Sequence, residues 1–223
     1  MKKGLGVRAL TRFTSGVVMV AAMLFWPAGS WSYWNGWLLM AVLFIPIAIL
    51  GAVMLRCAPE LLDKRLSNKE NQEEQRYVVA LSALMFVASF VVAGLNYRYG
   101  WHTLPDVVVW MATVVFLIAY AIYAEVMREN AYLSRTVEIQ QGQRLVDSGL
   151  YGIVRHPMYT ATVLLFLSMP LILGSILSFV IMLVYIPLIA LRIVSEERLL
   201  KQGLPGYKEY TQRVKYRLIP YVW

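Results

Sequence analysis

Residues 33–55 read YWNGWLLMAVLFIPIAILGAVML and contain no charged side chain. A run of this length is typical of a membrane-crossing helix, because about 20 apolar residues span the hydrocarbon core of a bilayer. Hydrophobic residues make up 59% of the 223-residue chain and charged residues only 15%. This is more apolar surface than a water-soluble domain needs to bury. The composition therefore predicts an all-α, polytopic integral membrane protein.

Further apolar runs predict a bundle of about six spans. The first run is too long, and too closely followed by the second, for a cleaved signal peptide. The last two runs are each shorter than a full crossing, and Gly174-Ser175 between them predicts a tight C-terminal helical hairpin. The predicted spans are residues 13–29, 33–55, 77–95, 107–127, 159–173 and 176–192.

Basic residues lie almost entirely on one side of this predicted topology. Of the 21 Lys and Arg residues, all but Arg98 fall before the first span, in residues 56–76, in residues 128–155 or from residue 192 onward. Cytoplasmic segments of membrane proteins are enriched in Lys and Arg, so both termini are predicted to be cytoplasmic, in a plasma (inner) membrane or the ER. The net charge of +8 is then mainly a result of topology and does not indicate nucleic-acid binding.

The scarcity of Cys and His argues against several chemistries. Cys57 is the only cysteine, so an intrachain disulfide is impossible. His102 and His156 are predicted on opposite sides of the membrane, so no metal site built on a His pair is expected. The sequence also lacks a Gly-x-Gly-x-x-Gly or Walker-type loop, which gives no support to a Rossmann or P-loop nucleotide site.

The two parts of the chain differ in polar content. Residues 1–127 are interpreted as N-terminal transmembrane helices, and residues 128–223 as a C-terminal catalytic region with the helical hairpin and a cytoplasmic tail. Glu125, beside Arg128, is interpreted as part of an interfacial charge cluster, with a place in the wall of a site as the alternative.

Residues 149–159 read GLYGIVRHPMY and mark a junction between a loop and a helix. Proline disfavours the α conformation in the residue before it and is well tolerated in a first helical turn, so a helix is predicted to begin at Pro157. Unpaired backbone N–H groups there, with Arg155 and His156, would suit a carboxylate or phosphate at the edge of the bilayer. An interfacial basic anchor is the alternative interpretation.

A second polar cluster lies at the end of the last predicted span. Arg192 and Glu196 are four residues apart and share one helical face, a spacing typical of an ion pair. The predicted hairpin returns them to the membrane side where Arg155 and His156 lie. Such a pocket matches a zwitterionic ligand, with Glu196 opposite an ammonium group and the helix start opposite a carboxylate.

Four blocks within residues 130–223 resemble the isoprenylcysteine carboxyl methyltransferase family and its phospholipid methyltransferase relatives. They are QRLVDSGLY at 143–151, RHPMY at 155–159, RIVSEE at 192–197 and PGYKEY at 205–210. One position departs from the pattern, because Ala161 stands where a glycine is often found two residues after the motif tyrosine.

This resemblance implies a methyltransferase that holds S-adenosylmethionine in a cytosol-facing pocket closed by the C-terminal segment, with a lipid-facing entrance for the acceptor. It implies that Arg192 orients the acceptor. It also implies cofactor contacts from Gln143, Arg144, Leu145, Val146, Tyr151, His156, Pro157, Met158, Tyr159 and Glu196. The implied partners are a lipophilic or lipidated acceptor and membrane lipid, without a metal.

The acceptor is not fixed by these motifs. A carboxylate of a lipid-like or isoprenylcysteine-type molecule is ionised at neutral pH and needs only a cation such as Arg192 to orient it. A phospholipid amine would need a general base, for which His156 and Glu196 are candidates. An NADPH-dependent intramembrane reductase of the sterol type is a further alternative. A non-enzymatic carrier is disfavoured, since ionisable residues near mid-membrane and an inverted repeat are both missing.

Overall fold

The computed structural model describes residues 4–66, 73–130, 132 and 142–223. Parts of two predicted cytoplasmic segments, 67–72 and 133–141, lie outside the described residues. The described chain contains a 3₁₀ turn at Gly149–Gly152 and no strand beyond an isolated bridge between Thr103 and Ser175. Its helices are α1 (Leu5–Ala28), α2 (Trp34–Cys57), α3 (Pro59–Leu66), α4 (Glu73–Tyr99), α5 (Asp106–Glu129), α6 (Pro157–Ile172), α7 (Ile176–Met182), α8 (Tyr185–Gly203) and α9 (Tyr207–Arg213).

Within the described residues, five stretches are long and apolar enough to cross a membrane. They are α1, α2, residues 77–99 of α4, α5 and the stretch 176–203 that α7 and α8 form together. Helix α6 is apolar as well but has only 16 residues. The prediction of a polytopic helical membrane bundle is thus confirmed, and the orientation of the termini stays a prediction.

The C-terminal hairpin is present but differs in detail from the prediction. Gly174 turns the chain between α6 and α7 with φ 71°, a conformation that glycine adopts without strain. The predicted helix 176–192 instead breaks between α7 and α8 and then continues to Gly203. Pro187 explains the break, because it lacks the N–H that would bond to the carbonyl of Leu183. The extension contains Arg, Glu, Leu and Lys, all good helix formers.

Buried polar contacts fix the end of the bundle where α6 meets α7. The last carbonyl groups of a helix have no partner within that helix. At the end of α6, the donors come from the start of α2 and from Tyr33 just before it. The Tyr33 hydroxyl donates to the Leu173 carbonyl at 2.7 Å, and Asn35 Nδ2 donates to the Ile172 carbonyl at 2.9 Å. The Ser89 and Ser178 hydroxyls join α4 to α7 at 2.6 Å.

Helices α1 and α4 pack tightly at Gly94, where an added side chain would not fit. A Cβ built on Gly94 would lie 2.6 Å from the Leu24 carbonyl oxygen and 3.0 Å from Pro27 Cβ. Small residues at such contacts let two helices pack closely within a membrane. This contact holds together two helices that also contribute to the wall of the cavity described below.

Replacement of Gly94 by alanine is expected to lower the stability of the protein by about 1–3 kcal/mol, because the added methyl group overpacks the contact between α1 and α4. Thermal unfolding in detergent measures this effect. Gly51→Ala is the matched control, since Gly51 is also helical and a Cβ there meets nothing within 4 Å. Equal unfolding temperatures for the two variants would contradict the close packing.

Candidate functional site

A cavity of about 730 Å³ runs from the membrane-spanning helices to the loop before α6 and to α9. Its apolar end is lined by residues of α1, α2 and α4: Met19, Val20, Met23, Leu43, Val78, Val79, Ala83, Phe86, Val87 and Phe90. Its polar end is lined by Gln143, Arg144, Tyr151, Arg155, His156, Tyr159, Arg192, Glu196, Tyr207 and Tyr210. The cavity thus joins a charged compartment to a hydrophobic one.

The structure brings nearly all the candidate site residues together at this cavity. Ten of them line it: Gln143, Arg144, Leu145, Val146, Tyr151, His156, Met158, Tyr159, Arg192 and Glu196. Pro157 is buried as the first residue of α6 and is not among the described lining residues. Ala161 is fully buried one turn further along the same helix.

Tyr159 connects the two charged residues of the RIVSEE block. Its hydroxyl donates to Glu196 Oε2 at 2.5 Å and accepts a hydrogen bond from Arg192 Nε at 3.1 Å. The His156 ring stacks on the Tyr159 ring with the centroids 5.6 Å apart. Glu196 is half-buried, and its carboxylate can accept further hydrogen bonds beside the one from Tyr159.

The next residue, Glu197, is the centre of a buried charge cluster that the sequence analysis did not predict. It is only 2% exposed, and its carboxylate contacts two guanidinium groups and an imidazole within 3.3 Å: Arg155 at 2.7 Å, Arg217 at 3.1 Å and His156 at 3.3 Å. Lys201 lies 3.8 Å away. A buried carboxylate is tolerable only when it is paired and hydrogen-bonded in this way.

A signal for this role of Glu197 was available in the sequence. Ile189, Ile193, Glu197 and Leu200 follow one another at helical spacing, and all four are buried on one face of α8. An acid within an apolar stripe indicates a buried ion pair.

The residues just before α6 are hydrogen-bonded to the C-terminal end of the chain. The backbone N–H groups of Arg155 and His156 donate to the carbonyls of Tyr216 and Arg217, both at 2.9 Å. These two N–H groups, which precede the first turn of α6, are therefore paired within the fold, and the anion site at the helix start stays a prediction. The Arg155 guanidinium is also committed, to Glu197 and to the carbonyls of Val214 and Lys215. The chain's own tail, residues 214–223, thus supplies carbonyl partners to both Arg155 and His156.

The C-terminal segment folds back over the polar end after a turn at Pro205-Gly206. Gly206 adopts φ 81°, which directs α9 against the cavity wall. The Thr160 hydroxyl donates to the Leu218 carbonyl at 2.8 Å, and the Arg217 guanidinium lies over the Trp223 ring. The tail is thus hydrogen-bonded to the first turn of α6.

The loop before α6 is positioned by its own set of contacts. Asn130 Nδ2 donates to the Tyr151 hydroxyl at 2.9 Å, and the Tyr210 hydroxyl donates to the Tyr151 carbonyl at 2.7 Å. Glu129 accepts from the Leu150 N–H at 3.0 Å. These bonds tie α5, the 3₁₀ turn and α9 into one wall of the polar end.

Glu125 does not contribute to this wall. It forms an exposed ion pair with Arg128 at 2.5 Å and is not among the described lining residues. This agrees with the interfacial interpretation. Among the described residues, no group of three His, Cys, Asp or Glu side chains is placed to hold a metal ion.

The fold and site define a polytopic helical membrane protein with a cavity that joins polar and apolar compartments. Residues 106–205 match the phospholipid methyltransferase family. The matched region runs from α5 to the turn after α8, and the matched family is one of the integral membrane methyltransferases that the sequence motifs resemble.

A Delta(14)-sterol reductase from Mus musculus is also similar, with 36% identity over 92 residues. The similarity covers 40% of this chain and 22% of the reductase, so the chain spans about a fifth of the length of that curated relative. The activity therefore has to be argued from the site.

Proposed function

We propose that this protein is an S-adenosylmethionine-dependent membrane methyltransferase that methylates a carboxylate of a lipid-like or isoprenylcysteine-type acceptor. The observation that carries the proposal is the cavity itself, which joins Glu196 and Arg192 at its polar end to the spans α1 and α4 at its apolar end. The methyltransferase family match of residues 106–205 supports it. A cofactor and a lipophilic acceptor would meet where the two ends join.

The residues of the polar end fit the cofactor. Glu196 offers a carboxylate to an ammonium group, and the rings of Tyr159 and His156 offer aromatic faces. The hydroxyl of Tyr207 is buried without a hydrogen-bond partner among the described residues. The polar end thus has hydrogen-bonding capacity that the fold does not use. We place Gln143, Arg144, Leu145, Val146, Tyr151 and Met158 in the same cofactor site.

When bound, S-adenosylmethionine supplies an electrophilic methyl group, whose carbon bonds to the acceptor oxygen as the carbon–sulfur bond breaks and its electrons pass to sulfur. The protein's part is to orient and to exclude water. Arg192, held by Tyr159, orients the acceptor carboxylate. The apolar end holds the lipophilic part of the acceptor.

The candidate bases already form hydrogen bonds within the protein, and this favours a carboxylate over an amine acceptor. A carboxylate is ionised at neutral pH, whereas an amine must lose a proton to a base. His156 Nε2 is already directed at Glu197, and Glu196 already accepts from Tyr159. A phospholipid N-methyltransferase, which would need one of them as a base, is therefore the alternative within the family.

An NADPH-dependent reductase is the second candidate, and the similarity to the sterol reductase favours it. The half-buried Glu196 argues against it, since a carboxylate at the polar end repels phosphate groups. Calorimetric titration of the detergent-purified protein with S-adenosylhomocysteine and, separately, with NADPH distinguishes the two. Binding of S-adenosylhomocysteine alone supports the methyltransferase, and binding of NADPH alone would identify the reductase.

Arg192→Ala is expected to lower methyl transfer by about 100-fold, because the loss of a charge-assisted contact to the acceptor costs about 1.5–3 kcal/mol and the acceptor is also misoriented. The affinity for S-adenosylhomocysteine should change far less. The assay uses a prenylcysteine analogue and, in a second arm, phosphatidylethanolamine vesicles. Arg198→Ala is the control, since Arg198 is exposed on the same helix. An equal loss of both functions in Arg192→Ala would contradict the assigned role.

A further inference from the structure

Tyr207 carries a buried hydroxyl that the fold leaves unpaired. The residue begins α9 and is only 3% exposed. Its hydroxyl is shielded from solvent and has no hydrogen-bond partner among the described residues. Buried hydroxyl groups nearly always have a partner, because one without a partner loses its bonds to water and gains none. Tyr207 also lines the cavity, so its hydroxyl is an unused hydrogen-bonding group on a residue beside the ligand compartment.

The packing around Tyr207 holds its ring in place. It belongs to a buried cluster with Leu200, Leu204, Tyr210 and Val214, against which Leu145 packs. The Tyr207 N–H donates to the Leu204 carbonyl at 3.2 Å. Since both ring and backbone are fixed, the hydroxyl cannot readily turn toward another partner within the protein.

Tyr210 provides the contrast within the same cluster. The Tyr207 and Tyr210 ring centroids are 5.6 Å apart, and both rings are buried. The Tyr210 hydroxyl is satisfied internally, because it donates to the Tyr151 carbonyl at 2.7 Å. Of these neighbouring tyrosines, one is bonded within the fold and the other is not.

The surroundings of the Tyr207 hydroxyl limit the kind of ligand that it can bind. Burial raises its pKa, and the negative charges of Glu197 and Glu196 raise that pKa further. The hydroxyl therefore stays neutral and can both donate and accept a hydrogen bond. Tyr207 lines the cavity together with Leu145, Leu204 and Tyr210, and an apolar and aromatic lining of this kind suits a flat heterocycle better than an isolated ion.

We propose that Tyr207 is a positioning residue for the cofactor, and that its hydroxyl hydrogen-bonds the adenosine part while Leu145 and Leu204 contact the base or ribose. This inference rests on the proposed methyltransferase function. It divides the polar end into two subsites. Glu196 binds the ammonium group of the amino-acid part, and Tyr207 recognises the uncharged adenosine part.

The test uses Tyr207→Phe and Tyr210→Phe in the full-length, detergent-purified protein. Calorimetry measures the affinity for S-adenosylhomocysteine. A competition titration against S-adenosylhomocysteine then measures the affinity for 5′-methylthioadenosine, which lacks the amino-acid group. Tyr207→Phe should lower the affinity for both ligands by about tenfold, which is the effect of losing one hydrogen bond. Its ligand-free unfolding temperature should be unchanged or higher, because no hydrogen bond within the protein is lost. Tyr210→Phe should instead lower the unfolding temperature.

Each of the following results would contradict a different part of the inference. If Tyr207→Phe binds S-adenosylhomocysteine with unchanged affinity, the Tyr207 hydroxyl does not contact the ligand. If Tyr207→Phe loses affinity for S-adenosylhomocysteine but not for 5′-methylthioadenosine, the hydroxyl does not bind the adenosine part. The same conclusion follows if 5′-methylthioadenosine does not compete for the site. A lower ligand-free unfolding temperature, as in Tyr210→Phe, identifies a structural hydroxyl. If the unchanged protein does not bind S-adenosylhomocysteine, the proposed function fails, and the role of Tyr207 fails with it.

Discussion

Replacement of Glu196 by glutamine is expected to weaken S-adenosylhomocysteine binding by about 10- to 100-fold. Glutamine keeps the shape of the side chain, and its carbonyl can still accept the hydrogen bond from Tyr159. What it removes is the negative charge opposite the ligand's ammonium group. Hydrogen bonds to charged groups contribute about 1.5–3 kcal/mol, which corresponds to this range of affinities. Because Glu196 is half-buried and lines the cavity, the unfolding temperature should change little.

Titration calorimetry of Glu196→Gln with two ligands gives the decisive comparison. The affinity for S-adenosylhomocysteine should fall, whereas that for 5′-methylthioadenosine, which has no ammonium group, should stay the same. Glu209→Gln serves as a control, because Glu209 is an exposed acid on α9. A parallel loss for both ligands would show that Glu196 shapes the cavity instead of binding the ammonium group.

Replacement of the neighbouring Glu197 by glutamine is expected to lower the free energy of unfolding by about 3–5 kcal/mol, the usual effect of removing one partner from a buried ion pair. Arg155 is itself buried, so its charge would be left without its carboxylate. Arg217 would lose the bond that joins the tail to α8. Two adjacent acids thus have different expected roles, ligand binding for Glu196 and stability for Glu197.

Thermal unfolding and limited proteolysis of Glu197→Gln in detergent measure this effect. The unfolding temperature should fall, and cleavage within residues 204–223 should become faster than in Glu196→Gln. If Glu197→Gln unfolds at the same temperature as Glu196→Gln, the charge cluster does not contribute to stability. Retained stability together with lost S-adenosylhomocysteine binding would instead place Glu197 in the ligand site.

The architecture could be predicted from the sequence because membrane spans depend on composition alone. Uncharged runs located both ends of α2 and α5 to within a few residues, and Gly174 located the hairpin turn. The starts of α1 and α4 were missed, since the charged residues near them continue the helix beyond the apolar run. The extent of α8 was missed for the same reason.

The contacts of the site were less predictable, because they depend on partners far away in the chain. The motif Arg-His-Pro indicated a helix start, and α6 does begin at Pro157. It could not indicate that carbonyls of Tyr216 and Arg217 would bond the amides of Arg155 and His156. Likewise, spacing paired Arg192 with Glu196, whereas the structure places the Tyr159 hydroxyl against both.

The distance along the chain between Arg155 and its partners bears on the order of assembly during synthesis. Arg155 precedes Glu197 by 42 residues and Lys215 by 60. A ribosome adds about 5–20 residues per second, so several seconds separate the emergence of the arginine from that of its partners. During this interval the guanidinium lacks the carboxylate and the carbonyls that hold it in the folded protein. The helices before α6 are inserted first, and the polar compartment closes only as one of the last steps of folding.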